Sequence, residues 1–326
     1  MKEKTAEIKK YIKAAGNVIC GLSVLFLLAA LVRTDLDVSQ VSDWRLFLPV
    51  FAAGVLLKTA TVFMSASAWR LWLEFFSKKR CDRKEALRVY AKANIGKYLP
   101  GNVMHYVERN LFAAKLELSQ TQIAAASICE IISLVLAAFF MGTIVAFSGM
   151  QKVLTALCRQ VPFFQTLCGW GRETADRSGI VWAVWILAAA VVGLAVLIWK
   201  KRGRARRCKK LSSKEVFLFF QSFLISFLIY AAVLVILGLV LVLFYWYLGG
   251  RPDVRQAAVM TAAYMIAWVS GFVIPGAPGG IGVREMALTL LLTPVTGRDS
   301  IVVLSVFHRF VTVVGDFAAY LIRYKI

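Results

Sequence analysis

Long hydrophobic segments alternate with short polar ones along most of this chain. The apolar runs cover residues 15–32, 46–73, 123–147, 180–199, 216–247, 257–274 and 301–322. Each run is long enough to cross about 30 Å of hydrocarbon as a helix. The pattern predicts an all-α integral membrane protein, a polytopic bundle of about seven or eight transmembrane segments. Residues 1–326 are expected to form a single transmembrane domain, with no soluble catalytic domain.

Two of these runs need a further interpretation. Residues 15–32 follow a basic segment, as the core of a signal peptide does, but no small-residue cleavage site comes after them. We therefore interpret them as a retained first helix. Residues 216–247 are too many for one upright span, which predicts a tilted helix, a break near Gly238 or an extension beyond the bilayer.

Two regions interrupt the regular alternation of apolar and polar segments. Residues 91–114 contain a break at Pro100, Gly101 and Asn102, followed by the acid–base pair Glu108 and Arg109. Residues 275–294 repeat this order, with Pro-Gly breaks followed by an Arg-Glu pair. Because proline and glycine interrupt helices, both regions are predicted to be broken or re-entrant elements. Their likeness is compatible with an inverted repeat, which in transporters marks the substrate site.

The charge is strongly positive but unevenly distributed. The net charge is +21, with 39 Lys and Arg residues against 18 Asp and Glu. Most of the basic residues cluster at the N terminus, in residues 70–115 and in residues 200–214, while the other connections are poor in them. The positive-inside rule then predicts a multi-pass protein of the cytoplasmic membrane with both termini cytoplasmic. Anionic lipids at that face account for the charge, and nucleic acid is not expected as a partner.

The second interrupted region offers the strongest candidate chemistry. Gly279, Gly280 and Gly282 are expected to free backbone amides just before a helix starts, which favours an anion at that position. Arg284 in the first turns of this helix is suited to grip a phosphate with two donors. Glu285 is expected to pair with it or to meet a cationic group. The alternative interpretation is a tight loop with an ordinary surface ion pair.

Ionisable residues inside the apolar runs are further candidates. Arg309, Thr312 and Asp316 share one face of the last predicted helix, because they are three and four residues apart. Charges at membrane depth usually face a bundle interior or a wet path. A structural pair of Arg309 with Asp316 or with a glutamate is the alternative. Glu130 is the only acidic residue in the run 123–147, so it needs a partner or a proton.

Enzyme and metal motifs are missing from the sequence. There is no His-Glu-x-x-His, no Gly-Lys-Ser/Thr phosphate loop and no Cys-x-x-Cys, so no catalytic residue, metal or cofactor is expected. Cys158 and Cys168 share a predicted outer loop, where they either form a disulfide or remain unpaired.

The two interrupted regions also carry a family resemblance. The first reads Asn94-Ile95-Gly96-Lys97-Tyr98-Leu99-Pro100-Gly101-Asn102. The second reads Pro275-Gly276-Ala277-Pro278-Gly279-Gly280-Ile281-Gly282-Val283-Arg284-Glu285. They resemble the two hallmark segments of the lysylphosphatidylglycerol synthase transmembrane family, and the resemblance covers nearly the whole chain. It implies the flippase part of multiple peptide resistance factors, which moves aminoacylated phosphatidylglycerol across the bilayer. Those proteins have a separate aminoacyltransferase domain, and this chain is expected to be a stand-alone member without it.

These observations lead to an expected function with two alternatives. We expect translocation of a phosphate-containing lipid headgroup, such as aminoacylated phosphatidylglycerol or a polyprenyl-phosphate-linked species, across the cytoplasmic membrane. One alternative is a membrane transferase on a lipid-phosphate donor, with Glu108 or His105 as acid or base. The other is a non-catalytic partner of a separate lipid synthase or glycosyltransferase. A homo-oligomer is compatible with each. The candidate substrate-binding residues are Pro100, Gly101, Asn102, Glu108, Arg109, Glu130, Gly279, Gly280, Gly282, Arg284, Glu285, Arg309 and Asp316.

Overall fold

A computed structural model describes residues 44–98, 104–116, 118–149, 213–273 and 280–323. Within these ranges the chain is helical, with two short 3₁₀ turns at Ile95–Tyr98 and Ala113–Leu116, and it contains no strand. The helices are α1 (Trp44–Ser77), α2 (Arg83–Asn94), α3 (Met104–Phe112), α4 (Gln120–Gly149), α5 (Ser213–Tyr247), α6 (Val254–Val273), α7 (Val283–Thr296) and α8 (Arg298–Ile322).

Four of these helices are long and apolar enough to cross a membrane. The candidate spans are Arg45–Ser77, Gln120–Gly142, Lys214–Tyr247 and Ser300–Ile322. They correspond to four of the predicted runs, and the prediction of an all-α membrane protein is confirmed at this level. The predicted spans 15–32 and 180–199, and the pair Cys158 and Cys168, lie outside the described residues.

Helix α5 is continuous over 35 residues. The alternative of a break near Gly238 is therefore wrong. An added Cβ at Gly238 would lie 2.9 Å from the Cα of Thr261 in α6. The glycine thus allows α5 and α6 to approach closely. Its lack of a side chain serves helix packing here and does not break the helix.

The helices pack around α1 and α5, and each end of the bundle can be recognised by its contacts. At one end, Lys78 after α1 forms a salt bridge with Glu215 of α5, and Gln122 of α4 donates to the Phe76 carbonyl at 3.2 Å. Four more basic residues come shortly after Lys78 in the chain, namely Lys79, Arg80, Arg83 and Lys84. We therefore call this the basic end. At the opposite end, Gln256 at the start of α6 donates to the Val295 carbonyl in α7 at 3.2 Å.

Two helical hairpins enter the bundle from these two ends. Helices α2 and α3 begin and finish at the basic end. There the Cys81 amide donates a hydrogen bond to the Glu74 carboxylate, and the Gln120 side chain donates one to the Asn110 carbonyl. Helices α6 and α7 begin and finish at the opposite end. Helix α7 has 14 residues, or about 21 Å, which is less than the roughly 30 Å of a membrane core. The inner parts of both hairpins contact α8, at Asp316 and at Arg309.

Candidate functional site

A polar cavity of about 120 Å³ lies in the middle of the bundle, where the two hairpins meet α8. We call it the central cavity. Every described α-helix contributes to its walls, from Lys58 of α1 to Asp316 of α8. Its charged lining residues are Lys58, Lys97, Arg109, Arg284, Arg309, Glu130 and Asp316. Five cations against two acids make the lining positive, which favours an anionic occupant.

Asp316 joins α8 to α1 and to the first hairpin. Its fully buried carboxylate accepts from Lys58 Nζ at 3.1 Å and from Lys97 Nζ at 2.6 Å. Asn94 Nδ2 at 2.8 Å and the Tyr98 hydroxyl at 2.6 Å complete the set. These four donors satisfy both oxygens, which lowers the cost of burying a charge inside a membrane protein.

Arg109 and Glu130 form a second, fully buried pair. Each side chain is 2% exposed, and the Arg109 Nη1 donates to Glu130 Oε2. The other carboxylate oxygen accepts from the hydroxyls of Tyr90 at 2.8 Å and Tyr230 at 2.9 Å. The guanidinium also lies 3.8 Å from the centre of the Tyr90 ring, within the range of a cation–π contact. This end of the cavity is thus locally neutral, although the buried Arg109 Nε has no hydrogen-bond partner among the described residues.

Arg284, in the first turn of α7, has a different environment. Among the described residues it forms no salt bridge, and its Nε has no hydrogen-bond partner although it is shielded from solvent. Its guanidinium lies 5.8 Å from the centre of the Trp268 ring. Gly271 leaves room for it, since an added Cβ there would lie 3.3 Å from Arg284 Nε and 3.2 Å from the Gly280 Cα. Gly280 also has a positive φ of 73°.

Glu285 occupies the start of α7. Its Oε2 accepts from the Gly282 amide at 2.7 Å, and its Oε1 lies 3.8 Å from Arg309 Nε. The Gly282 amide, expected to be available to an anion, therefore already binds a carboxylate within the chain. Glu285 pairs with Arg309 rather than with its sequence neighbour Arg284. A structural pair of Arg309 with a glutamate was one of the alternatives that the sequence left open.

Most of the charged residues singled out from the sequence meet at this cavity. Arg109, Glu130, Arg284, Arg309 and Asp316 line it, and Glu285 lies directly behind Arg309. Arg309 and Asp316 face the same space but pair with different partners.

Other candidates stand apart from it. Glu108 does not line the central cavity and packs against Gly96 instead, where an added Cβ would lie 2.5 Å from its Oε2. Pro100, Gly101, Asn102 and Gly279 lie outside the described residues.

Sequence reasoning missed several residues of the cavity. Lys58 is not among the candidates named from the sequence, although its position inside the apolar run 46–73 was a signal. Tyr90 and Tyr230 had no signal, because aromatic residues in apolar helices are common. His308 does not line the cavity, and its Nε2 lies 3.0 Å from the Leu237 carbonyl.

No metal site accompanies these residues. In the described ranges, no group of three His, Cys, Asp or Glu side chains could hold a metal ion. Comparison with protein-family models, curated proteins and solved structures finds no match to this chain. The family resemblance of the two interrupted regions therefore stays a prediction.

Proposed function

We propose that this protein moves a lipid with a phosphate-containing headgroup between the two leaflets of a membrane. The headgroup would cross through the central cavity while the lipid tails stay in the hydrocarbon. The observation that carries this proposal is Arg284, a cavity cation that forms no salt bridge among the described residues. A shielded guanidinium without a carboxylate is costly unless an anion from outside the chain binds it.

The two hairpins support an alternating path for the headgroup. One enters from the basic end and the other from the opposite end, and both contact α8 beside the cavity. We propose that both are re-entrant elements in a bundle of about seven or eight membrane segments. Small movements of either hairpin would then open the cavity to one side at a time.

Specific roles follow from the charge pairs. Arg284 and Arg309 would hold the phosphate, because a guanidinium offers two parallel donors to its oxygens. Glu285 would offset the charge of Arg309, and Asp316 would offset part of the charge of Lys58 and Lys97, while the site is empty. Glu130, with a carboxylate already bonded to Arg109, would limit the positive charge at the far side of the cavity.

Membership of the lysylphosphatidylglycerol synthase transmembrane family is proposed on the two motifs alone. It would make aminoacylated phosphatidylglycerol or a polyprenyl-phosphate-linked lipid the natural test substrates. The cytoplasmic membrane, with the basic end inside, is the proposed location.

Reconstitution into liposomes tests the function directly. Labelled phosphatidylglycerol, its lysyl ester and a polyprenyl phosphate would each be followed with a leaflet-sensitive assay. We expect protein-dependent movement of at least one of them without a change in its mass. Covalent conversion of the labelled lipid would instead support a transferase, and no movement of any of the three would contradict the proposal.

Arg284 provides the sharpest variant. Arg284→Gln removes a charge-assisted contact, so lipid movement should fall about tenfold to a hundredfold. Arg284→Lys keeps the charge but loses the planar fork, and a smaller loss is expected. The matched control is Arg255→Gln, an exposed arginine at the opposite end of the bundle. Wild-type movement in Arg284→Gln at equal protein levels would remove Arg284 from the site.

A further inference from the structure

A hydrophobic groove follows the outer face of α8 beside the central cavity. Val306, Phe310, Val313 and Val314 form most of its walls, and Ile281 closes it near α7. It has a volume of about 230 Å³. Phe310 is 64% exposed, so the groove opens towards hydrocarbon when α8 spans a membrane. Walls of this kind favour an acyl chain over a polar headgroup, which would lose its hydrogen bonds there.

One ion pair separates the groove from the cavity. Arg309 lines both spaces, and Glu285 lines the groove. The 3.8 Å between Arg309 Nε and Glu285 Oε1 exceeds the roughly 2.8 Å of a close charge-assisted hydrogen bond. The two side chains therefore form an ion pair without a close hydrogen bond between these two atoms, and a lipid phosphate would compete with Glu285 for the positive charge of Arg309. Arg284, on the cavity side, adds a second cation to the same neighbourhood.

We infer that this groove is the lateral entry of the transport path, and that it holds an acyl chain of an anionic phospholipid whose phosphate binds Arg309. This inference rests on the proposed function and adds where the tails lie during transport. Charge complementarity selects the occupant, because the groove itself is apolar and would accept any tail. Arg309 favours a headgroup with a net negative charge, because it repels the cationic group that a zwitterionic lipid carries beside its phosphate.

Photocrosslinking tests the occupant independently of transport. The full-length protein would carry benzoylphenylalanine in place of Phe310 and be reconstituted in equal amounts of phosphatidylglycerol and phosphatidylcholine. The control carries the same group in place of Leu228, a 56% exposed residue of α5 outside the groove. We expect crosslinked phosphatidylglycerol to exceed phosphatidylcholine about fivefold at position 310, equivalent to about 1 kcal/mol. At position 228 the two crosslinked lipids should occur in the same ratio as in the whole membrane.

A charge-neutral variant isolates the ion pair. The double variant Glu285→Gln, Arg309→Gln removes both charges of this pair, so neither is left unpaired. In this variant the ratio of crosslinked phosphatidylglycerol to phosphatidylcholine at position 310 should fall to the ratio at position 228. Equal ratios at both positions in the otherwise unaltered protein would overturn the inference, even if lipid transport is observed. Enrichment at position 310 without any transport would keep the groove as a lipid site and reject the proposed function instead.

Discussion

Charged side chains in the central cavity differ in how completely they are compensated. Arg109 and Glu130 neutralise each other and have tyrosine hydroxyls on the remaining carboxylate oxygen. Asp316 binds two lysines and still leaves one positive charge in excess. Arg284 forms no salt bridge among the described residues. The positive excess therefore lies near the inner parts of the two hairpins, where the proposed headgroup would bind.

The Arg109–Glu130 pair allows a test of structural against functional charge. Glu130→Gln removes one partner and leaves a buried cation, which should lower the free energy of unfolding by about 3–5 kcal/mol. The double variant Arg109→Met, Glu130→Leu removes both charges and should recover much of that loss. Thermal unfolding in detergent would measure both. A double variant no more stable than the single one would show that the pair is not the source of the effect.

Glycines set the distances between several helices. At Gly315 of α8, an added Cβ would lie 2.7 Å from the Cβ of Lys58 and 3.2 Å from the Val55 carbonyl oxygen in α1. Thr59 also donates to the Gly315 carbonyl at 3.1 Å. This close approach brings Lys58 within reach of Asp316, so the packing of two elements builds part of the site.

A single methyl group should disturb this contact. Gly315→Ala forces α1 and α8 apart or displaces Lys58, and overpacking of this kind typically costs about 1–3 kcal/mol. The matched control is Gly142→Ala in α4, where an added Cβ meets no described atom within 4 Å. Thermal unfolding should show a lower midpoint for Gly315→Ala only. Equal midpoints for the two variants would mean that α1 and α8 can adjust freely.

Across the whole molecule, the two hairpins have opposite directions. One begins and finishes at the basic end and the other at the opposite end. The proposed inverted repeat and alternating access both depend on these ends lying on different sides of a membrane. Sidedness is therefore the property of the whole molecule on which the transport proposal depends.

Cysteine labelling would establish the sidedness. On a cysteine-free background, Arg83→Cys at the basic end should resist an impermeant thiol reagent in intact cells, and Arg255→Cys at the opposite end should react. Both positions are exposed. Cys81 is replaced in this background, although burial raises the pKa of its thiol and so reduces its reactivity. Labelling of position 83 but not position 255 would reverse the assigned orientation.

The sequence by itself determined the helical class, the four described spans and most of the charged candidates. Apolar run length is a local property, and a charge such as Arg309 or Asp316 inside such a run stands out without any knowledge of packing. The sequence also predicts an interruption in both regions, because proline and glycine act on their own backbone, but the Pro-Gly breaks themselves lie outside the described residues.

Only the tertiary structure decided which residues meet. Lys58 and Asp316 lie far apart in sequence, and so do Tyr230 and Glu130, so no local pattern predicts either contact. Gly238 illustrates the same limit, since its local effect suggests a break while its contact with Thr261 reveals close packing. Helix packing depends on the shapes of distant surfaces, and those shapes exist only once the chain has folded.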